Sequence, residues 1–224
     1  TGLPVGACSF VVTDNSGCSQ TTSVTIAEPT PVTATITPMN VDCNAASTGS
    51  ATANPAGGTG PYMYSWCNGQ TTQTATGLPA GSCSVVITDV NGCSITETVD
   101  LIEPGAMSLT TAQTNVLCDG DMNGTATVTP MGGVGPYTYS WCNTQTTQTA
   151  TGLGVGTCTV IVTDNNGCTQ TTSVDLTAPN AMTLTTSQTE VLCDGGTDGT
   201  ATAMPDGGTG PFSYSWCNGQ TAPT

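Results

Sequence analysis

The chain has 224 residues, 15 of them acidic, and contains no lysine, arginine or histidine, so its formal net charge is −15. Without cations it has no basic patch to hold a nucleic-acid backbone or an anionic membrane surface, and no ion pair can form between its side chains. Only 7% of the residues are charged, against about a quarter in ordinary globular domains; this raises the alternative of a disordered Thr/Gly/Ser polymer, against which the regular placement of cysteines and aromatics speaks.

Residues 1–28 read as the back half of a β-unit. Residues 8–13 form a strand, Asp14-Asn15-Ser16-Gly17 a turn, and residues 18–26 the return strand. The aspartate of such a turn can accept backbone N–H bonds and the glycine can supply the positive φ that closes a hairpin. The same turn returns as Asp89-Val90-Asn91-Gly92 and Asp164-Asn165-Asn166-Gly167. Pro29, Pro104 and Pro179 follow each return strand; proline ends ladder pairing and stiffens a junction, which places domain boundaries there. One complete unit is then expected over 30–103 and another over 105–178, with 180–224 as the front half of a third.

Within the first complete unit, residues 32–37 are the first strand and 50–54 a second, small on both faces. Residues 55–60 form a loop, and Gly60-Pro61-Tyr62-Met63-Tyr64-Ser65-Trp66-Cys67 an aromatic strand. Asn68-Gly69 is a tight turn, a Thr/Gln stretch follows, and residues 83–88 and 94–101 make the final hairpin. Alternation puts Tyr62, Tyr64 and Trp66 on one face of their strand, as it does Tyr137, Tyr139 and Trp141, and then Phe212, Tyr214 and Trp216. A chain with so few aromatics is expected to spend them in its core, so this is read as the central strand of each unit. Trp66, Trp141 and Trp216 recur at a step of 75 residues, and every cysteine keeps the same step. The chain is therefore an array of one unit.

Short strands punctuated by Gly, Pro and Asn, with no helical period, indicate an all-β fold of tandem immunoglobulin-like β-sandwich repeats. The 12 cysteines amount to four per period, which in a small β-unit reads as a disulfide framework and an oxidising, extracytoplasmic compartment. Structural zinc is the alternative, but no Cys-x-x-Cys pair and no histidine supports it. The sequence alone leaves all three connectivities of four cysteines open. No run of 18 apolar residues suggests membrane insertion in this segment.

The order of Cys43, then Gly57-Gly58-Thr59-Gly60-Pro61-Tyr62-Met63-Tyr64-Ser65-Trp66, then Leu78-Pro79-Ala80-Gly81, then Val86-Ile87-Thr88-Asp89-Val90-Asn91-Gly92-Cys93 resembles the SprB repeat. That family builds very long cell-surface adhesins of gliding bacteria. The resemblance covers the whole chain and implies a cell-surface, adhesive use. Family units usually carry the cysteines at Cys43 and Cys93. They commonly have Tyr at Cys83 and a small polar residue at Cys67, and both departures occur together in every copy, as an added disulfide would. The resemblance thus implies Cys43–Cys93 and Cys67–Cys83, with Cys118–Cys168 and Cys142–Cys158 in the next unit, while Cys8, Cys18, Cys193 and Cys217 belong to the two half-units. The half-units complement each other. They are completed in a longer continuous chain, or by a neighbouring subunit head-to-tail; the register favours the former, because Thr224 followed by a second Thr1 would skip one residue of the period.

Catalysis is poorly supported, since the usual bases and nucleophiles are missing or oxidised; the reading is of a non-enzyme without cofactor. Asp119-Gly120-Asp121-Met122-Asn123-Gly124 matches the opening of a calcium loop, so Asp119, Asp121 and Asn123 are candidates for weak calcium binding. Pro130 stands where the bidentate glutamate belongs, and an acidic turn is the simpler reading. Asn123-Gly124-Thr125 is a glycosylation sequon. The expected function is a structural segment of an extracellular, cell-surface filament or adhesin stalk. Its expected partners are further copies of the same repeat, in one chain or head-to-tail between chains. The alternative is a module binding surface glycans through loops such as residues 57–60. With no lysine or arginine the chain offers trypsin no site.

Overall fold

The computed structural model describes residues 2–224, and the chain divides into two compact units, residues 1–103 and 104–224. The first begins with a hairpin, β1 (Gly6–Thr13) and β2 (Ser19–Ile26), paired in register from Gly6↔Ile26 to Thr13↔Ser19. It continues through β3 (Thr33–Met39), β4 (Gly49–Ala56), β5 (Met63–Trp66), β6 (Thr74–Leu78), β7 (Gly81–Thr88) and β8 (Ser94–Leu101). The second unit repeats that series as β9 (Ser108–Thr114), β10 (Gly124–Met131), β11 (Thr138–Trp141), β12 (Thr149–Leu153), β13 (Gly156–Thr163) and β14 (Thr169–Leu176). It ends with β15 (Thr183–Thr189) and β16 (Thr200–Asp206).

Each complete repeat is a sandwich of two antiparallel three-stranded sheets, ordered β3-β4-β6 and β5-β7-β8 in the first and β9-β10-β12 and β11-β13-β14 in the second. This is the immunoglobulin arrangement, strands one, two and five facing strands three, six and seven, with the fourth strand of that fold missing. Alternation along β4 and β7 builds the core. Ala51 and Ala53 of β4 and Cys83, Val85 and Ile87 of β7 are buried, while their neighbours in sequence face outward. The small side chains of β4 make room for Trp66, which is 3% exposed, and Ala75, Leu78 and Leu101 complete the cluster. The second core has the same plan, with Val128 at the position of Ala53.

Three sequence expectations are corrected. The aromatic strand lies at a sheet edge, not in the centre: β5 pairs with β7 alone, from Met63↔Thr88 to Trp66↔Val85, and β7 is the central strand. Its four residues are cut off by a turn in which Gly69 N–H donates to the Trp66 carbonyl at 2.9 Å. The Thr/Gln stretch contains a further strand, β6, held because the Gln70 side chain mimics a neighbouring strand: its Oε1 accepts from Thr76 N–H at 2.9 Å and its Nε2 donates to the Thr76 carbonyl at 3.0 Å. Finally, β4 runs on to Ala56, so the loop expected over 55–60 begins two residues later.

Glycine is required at two kinds of place. A Cβ on Gly49 would lie 2.6 Å from Leu101 Cδ2 and 2.8 Å from the Leu78 carbonyl oxygen, at the bulge where β4 meets β6. Gly57 and Gly58, at φ +70° and +60°, turn the chain out of β4, and a Cβ on Gly57 would overlap the Pro31 carbonyl.

Candidate functional site

Each complete repeat carries a thiol clamp beside its aromatic strand. Cys67 follows β5 and Cys83 lies on β7; Cys67 N–H donates to the Ser84 carbonyl at 2.9 Å, which extends the β5–β7 ladder by one residue and sets Cys67 opposite Ser84, diagonal to Cys83. They are bonded at 1.96 Å with their Cα atoms 5.4 Å apart, and Cys142–Cys158 repeats those values. Both Cys83 and Cys158 are buried. The neighbouring tryptophans are fixed at their ring nitrogens: Trp66 Nε1 donates to the Thr72 carbonyl and Trp141 Nε1 to the Thr147 carbonyl, both at 2.9 Å. Tyr62 and Tyr64 pack half-buried against the core, as do Tyr137 and Tyr139. Tyr62 donates its hydroxyl hydrogen to the Gly57 carbonyl at 2.5 Å, and Tyr137 to that of Gly132 at 2.6 Å.

The other pairing implied by the resemblance does not form. Cys93 and Cys118 are free thiols, so neither Cys43–Cys93 nor Cys118–Cys168 exists, although Cys43 and Cys168 are not free. The fold gives the reason. Cys93 lies in the turn just before β8, whereas the loop carrying Cys43 is tied to the far end of β8, where Val41 N–H donates to the Ile102 carbonyl at 3.0 Å and Ala45 N–H to Glu103 Oε2 at 2.6 Å. An eight-residue strand holds its ends roughly 26 Å apart, and a disulfide needs Cα atoms within about 7 Å. Cys8, Cys18, Cys193 and Cys217, expected within the disulfide framework, are also free.

The recurring turn supplies a buried carboxylate. Asp89 Oδ1 accepts from Asn91 N–H at 2.9 Å and Cys93 N–H at 2.8 Å, while Oδ2 accepts from Thr59 N–H at 3.0 Å. One side chain thus closes the β7–β8 turn and ties it to the loop that follows β4. Asp164 does the same through Asn166, Cys168 and Val134. Burial alone would raise both pKa values, but the convergent backbone N–H donors outweigh it and hold each carboxyl below its ordinary range. A carboxylate whose two oxygens are both engaged by backbone N–H groups serves as a structural clasp.

Two of the three candidate calcium residues take part in closing their own loop. Asn123 Oδ1 accepts from Leu117 N–H at 3.0 Å and its Nδ2 donates to Asp121 Oδ2 at 3.1 Å. Thr48 and Asp198 close the corresponding loops in the other copies, accepting from Asp42 N–H at 3.0 Å and Leu192 N–H at 3.2 Å. The position serves loop closure whatever its side chain, and the sequon asparagine is the member of this series at 123. Among the described residues no group of three or more His, Cys, Asp or Glu side chains is arranged to hold a metal ion.

The third copy differs. Phe212 is 38% exposed and Tyr214 and Trp216 are only half-buried, so this aromatic set is not a closed core. Residues 213–216 form no strand, and the segment borders a groove of about 270 Å³ lined by Met182, Leu184, Ala203, Pro205, Phe212 and Trp216. Sequence reasoning did not anticipate this groove, because alternation placed Phe212, Tyr214 and Trp216 on a core face as in the other copies.

The SprB-repeat family model matches the chain at residues 35–71, 110–146 and 185–221, the segments from the first strand through the aromatic motif of all three copies. This is an SprB-repeat chain. SprB repeats are structural repeats rather than enzymes, and they are associated with cell-surface, adhesin-like proteins of gliding bacteria. No curated protein matches the chain. The matched span stops short of the hairpin, so the clamp joins the family segment of each of the two complete SprB repeats to the strands that follow it.

Proposed function

We propose that the chain is a structural segment of an extracellular, cell-surface filament or adhesin stalk, in which repeats in series supply length and stiffness and surface attachment is the use. One observation carries this: every complete repeat takes the chain in at one end and lets it out at the other. The first repeat begins where Gly58 N–H donates to the Thr30 carbonyl at 2.7 Å, beside the Asp89 turn. It ends at Ile102, beside Val41 at the opposite end of β8. Repeats with that polarity add length as they add mass. Clamps that close by oxidation suit an extracellular setting, and the family's association with surface adhesins supports attachment.

Small-angle scattering on chains of one to four complete repeats tests the reading. A stalk gains a constant increment of roughly 30–40 Å in maximum dimension per repeat, the length of a strand plus a short linker. Growth with the cube root of mass would overturn it. Saturable binding of a two-repeat chain to a glycan array would instead assign the repeats to ligand recognition.

A further inference from the structure

The two complete repeats are joined by Glu103-Pro104-Gly105. We propose that a disulfide between Cys43 of the first repeat and Cys168 of the second staples this joint, so that consecutive repeats are held at two points instead of one. The inference follows from what sits at the end of each repeat and stands whether or not the chain serves as a stalk.

Cys43 lies at the end where the first repeat hands the chain on. It belongs to the loop between β3 and β4, and residues on both sides of it are bonded to the last residues of the repeat. On one side, Asn40 Oδ1 accepts from Ile102 N–H at 3.1 Å, and Val41 N–H donates to the Ile102 carbonyl at 3.0 Å. On the other, Asn44 Nδ2 donates to Glu103 Oε1 at 3.0 Å and Ala45 N–H to Glu103 Oε2 at 2.6 Å. Cys43 is therefore fastened beside Glu103, directly before Pro104.

Cys168 lies at the end where the second repeat takes the chain in. Its N–H donates to Asp164 Oδ1 and its carbonyl accepts from Asp164 N–H, both at 2.9 Å. The same turn is bonded to the loop after β10: Asn165 N–H donates to the Val134 carbonyl at 2.8 Å, and Val134 N–H to Asp164 Oδ2 at 2.9 Å. That loop holds the start of the repeat, because Gly133 N–H donates to the Gly105 carbonyl at 2.8 Å. Glu103 and Gly105 are two peptide units apart, so their Cα atoms are at most about 8 Å from each other. The chain itself thus carries the end bearing Cys43 to the end bearing Cys168. Within a repeat the corresponding cysteines stand at opposite ends of an eight-residue strand, roughly 26 Å apart, beyond the ~7 Å that a disulfide spans between Cα atoms. The bonding agrees: Cys43 and Cys168 are both disulfide-bonded, whereas Cys93 and Cys118, the candidates within their own repeats, are not.

Forming the staple from two thiols takes a two-electron oxidant, and a small-molecule disulfide such as oxidised glutathione supplies it. The Cys43 thiolate displaces one glutathione thiolate to form a mixed disulfide, and the Cys168 thiolate displaces the second. Two protein thiols are oxidised and one glutathione disulfide is reduced to two thiols. Domains joined by a short linker alone move relative to one another by default. A second covalent link restricts that motion, in the same oxidising setting that closes the clamps.

The test uses the 224-residue chain, reoxidised with a glutathione redox pair and isolated as a monomer. Its free thiols are blocked, and it is unfolded without reductant and cut by a glutamate-specific protease. Cleavage at Glu97–Thr98 and Glu190–Val191, with the Glu–Pro bonds resisting, parts Cys43 from Cys168 but leaves Cys43 with Cys93 and Cys118 with Cys168. The expected result is that fragments 1–97 and 98–190 migrate as one species, which splits on reduction and yields a Cys43–Cys168 peptide. C43A and C168A release the two fragments without reductant, and each leaves the other cysteine of the pair open to alkylation. Both variants keep the two clamps and the two thermal transitions of the complete repeats. Separation of the wild-type fragments without reductant overturns the proposal, and so does a link between them through any other pair of cysteines.

Discussion

Removing the clamp from one repeat, as C67A/C83A, should lower the stability of that repeat alone. The bond spans 16 residues, and in the chain-entropy account a loop of that length contributes about 3 kcal/mol by restricting the unfolded chain. A domain of this size is stable by only about 4–11 kcal/mol in total, so the loss is a large fraction. At about 4–8 °C per kcal/mol for a small domain, the melting transition should fall by about 12–24 °C. Differential scanning calorimetry reads this directly, because the repeats are separate units and each contributes its own transition. C142A/C158A should move the other transition by a similar amount, and the wild type in reductant should move both. Alanine is the better replacement for Cys83, since a serine there would bury a hydroxyl. A shift below 2 °C, or a wild type indifferent to reductant, would refute the reasoning that a short sulfur loop decides whether so small a core holds together.

Three further outcomes follow from the same geometry. Asp89→Asn replaces an accepting oxygen with an amide that has a donor at one of its two ends, so it cannot satisfy all three N–H groups and the first repeat should melt earlier. Because the folded pKa of Asp89 and Asp164 is depressed, the stability they contribute is present above the ordinary carboxylate value near ~4 and is lost as pH falls through the lower folded value; a calorimetric pH series from 7 to 2 should show that loss in the wild type and a flatter profile in the D89N/D164N variant. Gly49→Ala should cost about 1–3 kcal/mol through the clash with Leu101 and the Leu78 carbonyl, whereas Gly105→Ala, which meets nothing within 4 Å, should be near neutral by the same denaturation assay. Trp66→Ala should cost about 3–5 kcal/mol as a core truncation, while Trp216→Ala in a monomeric chain should leave both transitions unchanged and lose only the fluorescence of a half-exposed indole.

Much of this was readable because alternation and period are local or arithmetic properties. The inward faces of β4, β5 and β7, the hairpin turns and the 75-residue step all follow from residues near one another in the chain. Rank within a sheet does not, since it depends on pairing between distant segments. Tyr62, Tyr64 and Trp66 announce which face is buried but say nothing about β5 having one neighbour instead of two. The strand at Thr74–Leu78 stayed hidden because Ala75 and Leu78 are its only buried members and Gly77, at φ +68°, interrupts its alternation. The cysteine count was legible, but the choice among pairings was not. Cys43 and Cys93 are separated by the length of β8, a distance that only the fold reveals, while Cys67 and Cys83 meet through the β5–β7 ladder. The groove in the third copy becomes evident only when residues 213–216 are compared with the strands at 63–66 and 138–141.

The account depends on each repeat being closed by its own clamp between the aromatic strand and the strand it pairs with. The most direct test is disulfide mapping of the unreduced chain, digested with pepsin at low pH to suppress exchange and to avoid the need for basic cleavage sites, with mass spectrometry of the linked peptides. The account predicts Cys67 joined to Cys83 and Cys142 joined to Cys158 in every molecule; recovery of those four cysteines as free thiols, or linked in any other pairing, would contradict it.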